Sequence, residues 1–186
     1  MMPVLEKEPI VAPGPAGAWD DGFTCNPAAS VHSNGTILLI YKARSLEHSQ
    51  GMYEGVALTP HWNSTYVKKT PDAPLDLPSD CEDAGIYRTN TSEGEIYRML
   101  THCGCAGQYM WSKDGFHWAR TTSPQGWCTN VPFTDGVNRT LSTRQRPKWL
   151  VNNKGVATHV FTGVNRDGDS AMGHTWTMAA AVSNPK

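Results

Sequence analysis

The chain has 186 residues, a length that suits one domain with its own core or a part of a larger one. Its 16 basic and 17 acidic residues leave a formal charge of -1, which excludes the basic surface of a nucleic-acid-binding protein. No run of about 20 apolar residues is present, which excludes a membrane-spanning helix. The 17 glycines and 13 prolines are spread along the chain, and they favour turns and short strands over long helices.

Three segments share one pattern, in which polar residues lead into a short apolar strand, a Gly-containing turn and a second apolar strand. They begin at Asn26 (NPAASVHSNGTILLIYKA), Glu82 (EDAGIYRTNTSEGEIYRMLTH) and Gln145 (QRPKWLVNNKGVATHVFTGV). Each segment therefore predicts a β-hairpin, because Gly or Asn supplies the positive φ of a tight turn. The three turns are Asn34-Gly35, Glu93-Gly94 and Lys154-Gly155.

The spacing of these segments gives a repeat of about 60 residues. Asp83 follows Asn26 by 57 residues, and Gln145 follows Asp83 by 62. Trp62 follows Asn26 by 36 residues, and Trp118 follows Asp83 by 35. These tryptophans predict a third strand and a turn in the first two units, and HTWTMAAAV predicts the third strand of the last.

A strand–turn–strand–Trp order that occurs in three successive units favours β-propeller blades over the competing β-sandwich. We therefore predict an all-β fold with four-stranded antiparallel sheets. Residues 19–75, 76–135 and 136–186 would form about three of an expected five blades, within a single domain over residues 1–186. A five-bladed ring at this period needs roughly 300 residues, so we expect an incomplete propeller, which self-association could complete.

Four N-x-S/T sequons indicate a chain that enters the secretory pathway, since chance would supply about one. No signal peptide is visible between Met1 and Gly17. We interpret the chain as a secreted glycoprotein whose N-terminus differs from the one given. The sequon asparagines are Asn34, Asn63, Asn90 and Asn138.

Five cysteines leave one without a partner and predict one or two disulfides. They are Cys25, Cys81, Cys103, Cys105 and Cys128. Paired zinc-ligand spacing is absent, so we expect no metal and no cofactor. Asp167-Gly168-Asp169 lacks the further ligands of a calcium loop, and we interpret it as a turn.

The polar positions that open the three segments resemble those of glycoside hydrolase family 43 and its eukaryotic relatives. Those five-bladed propellers carry an Asp general base, an Asp that tunes the acid, and a Glu general acid, one on each of the first three blades. EDAGIYRTNTSEGEIYRMLTH resembles the second of these blades, which gives Asp83 the tuning role. TRQRPKWLVNNKGVATHVFTGV looks like the third, where Glu precedes Arg-Pro, and SKDGFHW matches the turn that closes such blades. The resemblance runs from Trp19 to Val164.

Two of the three positions carry amides where the family has carboxyl groups. Gln145 stands at the acid position and has no proton to give, and Asn26 stands at the base position. Asp21, a few residues upstream, is the candidate for a remaining base. The resemblance implies an inverting hydrolase acting on arabinose-, xylose- or galactose-type glycans, impaired by Gln145. The alternatives are a catalytically inactive carbohydrate-binding propeller and a truncated fragment.

Six further residues are candidates for binding the oligo- or polysaccharide that this resemblance implies as partner. Two arginines flank Gln145, and would bind an acidic sugar or form ion pairs with Asp83 or Asp135. Two tryptophans would stack on sugar rings, although core packing is the commoner role of a tryptophan. The candidates are Arg144, Arg146, His102, Trp111, Trp127 and Asp135, which borders the third segment.

Overall fold

The computed structural model describes residues 8–47, 51–78, 81–104, 106–121, 126–166 and 175–182, and the described part is all β. No helix in it is long and apolar enough to cross a membrane. The predicted turn Asp167-Gly168-Asp169 and Cys105 lie outside these residues. The strands are β1 Phe23–Val31, β2 Ile37–Arg44, β3 Tyr53–Thr59, β4 Val67–Lys68, β5 Cys81–Thr91, β6 Gly94–Cys103, β7 Ala106–Ser112, β8 Ala119–Arg120, β9 Asn130–Pro132, β10 Asn138–Val151, β11 Ala157–Arg166 and β12 Thr175–Ala181.

These strands form three four-stranded antiparallel sheets, which confirms the predicted fold class. The first blade has the order β1-β2-β3-β4 and the second has the order β5-β6-β7-β8. The third sheet differs, because its fourth strand is β9, which pairs with the start of β10 rather than with β12. The three predicted hairpins are present, and their turn glycines have φ angles of 89°, 112° and 73° at Gly35, Gly94 and Gly155.

Apolar faces hold neighbouring blades together. Leu38 and Ile40 of the first blade pack in one cluster with Tyr97 and Met99 of the second. A second cluster joins the second and third blades and contains Leu100, Trp127 and Val160. Fully burying one such aliphatic side chain contributes roughly 1.5–3 kcal/mol, so these two clusters hold the blades at fixed positions.

The first strands of the blades lie side by side, with β5 in contact with both β1 and β10. A close approach of two backbones makes this possible. A Cβ added to Gly85 in β5 would overlap the carbonyl oxygen of Pro147 in β10. Trp149 also donates its indole N–H to the carbonyl of Gly85 over 2.9 Å. Residues near the start of β1, β5 and β10 are thereby brought into one region.

A disulfide joins the first two strands of the second blade, between the directly paired residues Cys81 and Cys103. Cys25 and Cys128 form no disulfide within the described part of the chain. The bridge closes a loop with a sequence separation of 22 residues, and a loop of that size restricts the unfolded chain. We expect the double variant Cys81→Ala/Cys103→Ala to lose about 3 kcal/mol of unfolding free energy, measured by urea denaturation. A matched Cys25→Ala/Cys128→Ala variant that lost as much would contradict this role of the bridge.

Candidate functional site

Each first strand carries a β-bulge at the same place. The pairing register shifts between Cys25 and Ala28 in β1, between Glu82 and Gly85 in β5, and between Gln145 and Lys148 in β10. The bulged residues Asn26, Asp83 and Arg146 have φ angles of 47°, 61° and 55°, the left-handed region that non-glycine residues rarely adopt. A non-glycine residue with such a backbone conformation costs free energy, and residues of this kind cluster at functional sites.

The bulges change which residue of the third blade matches Asn26 and Asp83. We predicted Gln145 from the spacing, but the bulged residue is Arg146, and Gln145 matches Glu82 and Cys25. The correction is one residue and lies at the bulge of β10 itself, where the regular alternation of the strand is interrupted. Gln145 is half-buried and pairs across the ladder with Gly163.

The three bulged residues line one pocket of about 130 Å³, together with Pro27 and Lys148. Of the three residues predicted to converge, Asn26 and Asp83 line this pocket, and Arg146 stands there in place of Gln145. This volume is well below the roughly 300–1,000 Å³ of sites for drug-sized ligands, so the pocket admits one small unit of a larger molecule.

Asp83 is one of the residues that line the pocket and is 4% exposed. Its Oδ1 atom accepts hydrogen bonds from Asn26 Nδ2 at 2.5 Å and from Lys42 Nζ at 3.2 Å. Its Oδ2 atom is 3.6 Å from Nε of Arg146, which is an ion pair beyond hydrogen-bond distance. Two hydrogen-bond donors, from β1 and β2, and one cation from β10 thus surround this carboxylate and fix its position.

A second carboxylate lies behind Asp83. Glu82 accepts a hydrogen bond from Lys42 Nζ at 2.5 Å, and its other oxygen is 3.5 Å from Nδ1 of His102. His102 and Lys42 together hold the pKa of Glu82 at about 2. His102 was predicted to bind substrate, but it is 8% exposed and does not line the pocket. It therefore contacts the carboxylate next to Asp83 instead.

Glu54 is a buried acid on β3 that contacts the β5 bulge at Ala84. Its Oε1 atom accepts the backbone N–H of Ala84 at 3.1 Å, directly after Asp83. Its Oε2 atom is buried and has no hydrogen-bond partner among the described residues. Burial raises the pKa of Glu54 to about 8, so this side chain is mostly a neutral acid at neutral pH.

The structure places Asp21, the candidate base, in the loop before β1 and not among the pocket-lining residues. Its Oδ1 atom accepts the N–H of Leu46 at 2.7 Å and its Oδ2 atom accepts the N–H of Gly17 at 2.8 Å. These two backbone hydrogen bonds lower the pKa of Asp21. Its carboxylate therefore ties two loops together, and the geometry does not bring it to Asp83.

Arg144 and Trp127 form a buried pair, which corrects their prediction as substrate-binding residues. The Arg144 guanidinium lies 5.7 Å from the Trp127 ring centroid, and Trp127 donates its indole N–H to the carbonyl of Arg144. The two side chains are 7% and 5% exposed. Trp127 also packs against Gly107, where an added Cβ would overlap its ring. No free indole face remains for a sugar.

The remaining candidates lie elsewhere on the surface. Trp111 on β7 lines a separate open groove of the second blade with Trp118 and His117. Asp135 lies in the exposed β9–β10 turn and pairs with Arg139 at 2.5 Å. The four sequon asparagines are all exposed, as glycosylation requires, and their glycosylation stays a prediction.

Four residues of this region were not predicted from the sequence: Lys42, Glu82, Lys148 and Glu54. Lys42 interrupts the apolar strand ILLIYKA, and an isolated charge within a buried strand is a signal of a buried partner. Proline follows both Asn26 and Arg146, which aligns these two residues in the repeat. Glu54 has no comparable signal, because its burial depends on a strand more than 25 residues away along the chain.

Comparison with known proteins assigns the fold. A glycosyl hydrolase from Bacteroides ovatus has a TM-score of 0.56 at 15% sequence identity, over 95% of this chain and 52% of that one. The chain has a glycoside hydrolase-like fold. A protein of unknown function from Dyadobacter fermentans has a TM-score of 0.54 at 12% identity, over 94% of this chain and 54% of that one. The chain thus spans about half the length of both. No family model and no curated protein matches the sequence.

Proposed function

We propose that this glycoside hydrolase-like protein binds a saccharide in the pocket around Asp83. We further propose that its hydrolytic activity is low, because Gln145, the residue predicted as the acid, is an amide and does not line the pocket. One observation carries the proposal: the bulged residues Asn26 and Arg146 of the first and third blades meet the fixed carboxylate of Asp83, the bulged residue of the second. Asp83, Asn26 and Arg146 offer an acceptor, an amide and a cation within one small cavity. Sugar hydroxyls are recognised by groups of this kind, since each hydroxyl both donates and accepts.

The gap between Asp83 and Arg146 suits a ligand hydroxyl. Nε of Arg146 is 3.6 Å from Oδ2 of Asp83, too far for a direct hydrogen bond. A hydroxyl oxygen at the pocket side of this pair would donate to Asp83 and accept from Arg146. Each such bond to a charged group contributes about 1.5–3 kcal/mol when it replaces no equal bond to water.

The catalytic part of the proposal follows from the number of carboxyl groups. Inverting hydrolysis needs an acid on one side of the glycosidic bond and a base on the other. Asp83 is the single carboxyl group among the five residues that line the pocket. Loss of general acid catalysis lowers a rate by roughly 10²–10⁴-fold. We therefore propose slow hydrolysis of arabinose-, xylose- or galactose-type glycans. The alternative, which the amides Asn26 and Gln145 favour, is a propeller that binds such glycans without hydrolysing them.

Saccharide binding that depends on Asp83 is the expected result of a calorimetric titration. Asp83→Asn keeps the shape and one acceptor oxygen but removes the charge, so we expect affinity for the bound saccharide to fall about tenfold or more. Asp72→Asn makes the same change at an exposed loop position and should change affinity less than about twofold.

Two results would reject the proposal. Wild-type protein that binds no arabinose-, xylose- or galactose-type oligosaccharide would exclude saccharide binding. Saccharide binding that Asp83→Asn and Asp72→Asn leave equally unchanged would exclude this pocket as its location. Turnover of aryl glycosides by the wild type, compared with Asp83→Asn, separates a slow hydrolase from a binding protein.

A further inference from the structure

We infer that the pocket around Asp83 takes a sugar with a carboxylate, a uronic acid unit, rather than a neutral sugar. This inference rests on the proposed saccharide binding and names its substrate class. Its basis is the arrangement of cationic groups at the pocket, which exceeds what the two neighbouring carboxylates require.

Arg146 presents an unoccupied guanidinium fork at the pocket. Its side chain is 69% exposed, and its single ionic contact among the described residues runs from Nε to Asp83 at 3.6 Å. The two terminal nitrogens have no hydrogen-bond or ion-pair partner in that part of the chain. A guanidinium binds a carboxylate through two parallel N–H donors, so the free edge of Arg146 matches such a group.

Lys148 adds a second source of donors on the same wall. Its Nζ atom donates to the carbonyl of Ala84 at 3.0 Å, which uses one of its three N–H donors. The side chain lines the pocket beside Arg146. Two cationic groups, each with unused donors, therefore lie on one side of a cavity of about 130 Å³.

The charge balance of the region is positive. Lys42, Arg146 and Lys148 supply three cations, and Glu82 and Asp83 supply two carboxylates. Lys42 contacts both carboxylates, at 2.5 and 3.2 Å, and so offsets much of their charge before a ligand arrives. An anionic group on the ligand would neutralise the remaining positive charge.

Asp83 explains why the ligand is a sugar acid rather than a free inorganic anion. A phosphate or sulfate ion that fills the pocket would place an anion against the Asp83 carboxylate, and like charges at that distance repel. A uronic acid has its carboxylate on one ring carbon and hydroxyls on the next ones. Its carboxylate would contact Arg146 and Lys148 while a hydroxyl donates to Asp83.

Matched sugar pairs test this inference by calorimetry. The methyl pyranosides of glucuronate and xylose differ at C5 by the carboxylate alone, as do those of galacturonate and arabinose. We expect each uronate to bind about tenfold or more tighter than its neutral partner at low salt. Added salt should reduce this preference, because it screens charge pairs that are open to solvent.

Variants at position 146 assign the preference to the guanidinium. We expect Arg146→Gln to abolish the uronate preference while neutral sugars still bind, and Arg146→Lys to keep part of it. Lys154→Gln removes a cation from an exposed turn at the far end of β10 and should keep the full preference. Lys148→Met gives a second, independent loss of charge if Arg146→Gln does not reach the wild-type melting temperature.

The outcomes separate this inference from the proposed function. Equal affinity for both members of each pair, or a preference that survives Arg146→Gln and Lys148→Met, would overturn the uronate inference and leave saccharide binding intact. No binding of any sugar would overturn both. Binding of inorganic phosphate that depends on Arg146, without sugar binding, would show an inorganic anion site and would also overturn both.

Discussion

Replacing Gln145 with glutamate is expected to raise the rate of glycoside hydrolysis by roughly 10²–10⁴-fold. The substitution changes an amide into a carboxyl group of the same shape, and it supplies the proton that a leaving glycosidic oxygen needs. Gln145 is half-buried and directly precedes Arg146, which lines the pocket, so the variant adds a carboxyl group one residue away from a pocket residue. The measurement is the initial rate on aryl glycosides of arabinose, xylose and galactose.

The control for this variant adds the same charge elsewhere in the blade. Asn153→Asp introduces a carboxylate in the exposed β10–β11 turn and should leave the rate unchanged. The double variant Gln145→Glu/Asn26→Asp restores both positions that carry amides. Saccharide binding without faster hydrolysis in either Gln145 variant would contradict the hypothesis of an impaired hydrolase and favour a propeller that only binds saccharide.

A decrease in stability between mildly acidic and neutral-to-basic pH is the second expected result, and Glu54 is its cause. Burial raises the pKa of this folded-state carboxyl to about 8, above its ordinary value of 4.5. The folded state therefore holds a proton that the unfolded state has already released. The contribution of protonated Glu54 to the unfolding free energy is therefore fully present below about pH 4.5, and it is lost as the pH rises to about 8. We expect the unfolding free energy to fall by about 4 kcal/mol across this window.

Urea denaturation from pH 5 to pH 8, on wild type and Glu54→Gln, measures this contribution. The amide cannot ionise, so the difference between the two pH curves isolates Glu54 from neighbours such as Lys42, Glu82 and Asp83. The pKa of Glu82 is lowered to about 2, so its stabilisation is lost only in acid, below the ordinary 4.5. Glu93→Gln, at an exposed turn, should follow the wild-type curve. If the unfolding free energy of Glu54→Gln fell with pH as steeply as that of the wild type, Glu54 would not be the cause.

The blade architecture could be predicted from the chain because its signals are local. A turn glycine stands between two apolar runs in each unit, and the recurrence of this order at nearly equal spacing indicates blades. The structure has these hairpins with positive φ at Gly35, Gly94 and Gly155. Local turn chemistry and repeat length do not require knowledge of distant contacts.

The site could be predicted only in part, for a physical reason that differs from residue to residue. The repeat spacing correctly predicted Asn26 and Asp83 as pocket residues. For the third blade it indicated Gln145 instead of the next residue, Arg146, because Gln145 is also polar and the spacing does not reveal the bulge. Pro27 and Pro147 mark the true alignment. Arg144 and Trp127 could not be assigned to the core from sequence, because the ring contact between them depends on the packing of two blades.

An amide-resolved NMR titration with a uronate and a neutral oligosaccharide tests the central claim most directly. We expect chemical-shift changes to centre on Asn26, Asp83 and Arg146, the residues that meet at the pocket. The open groove at Trp111 and Trp118 on the second blade serves as the internal comparison, since exposed indoles can also bind sugars. Shifts confined to that groove, or no shifts with either sugar, would contradict the account.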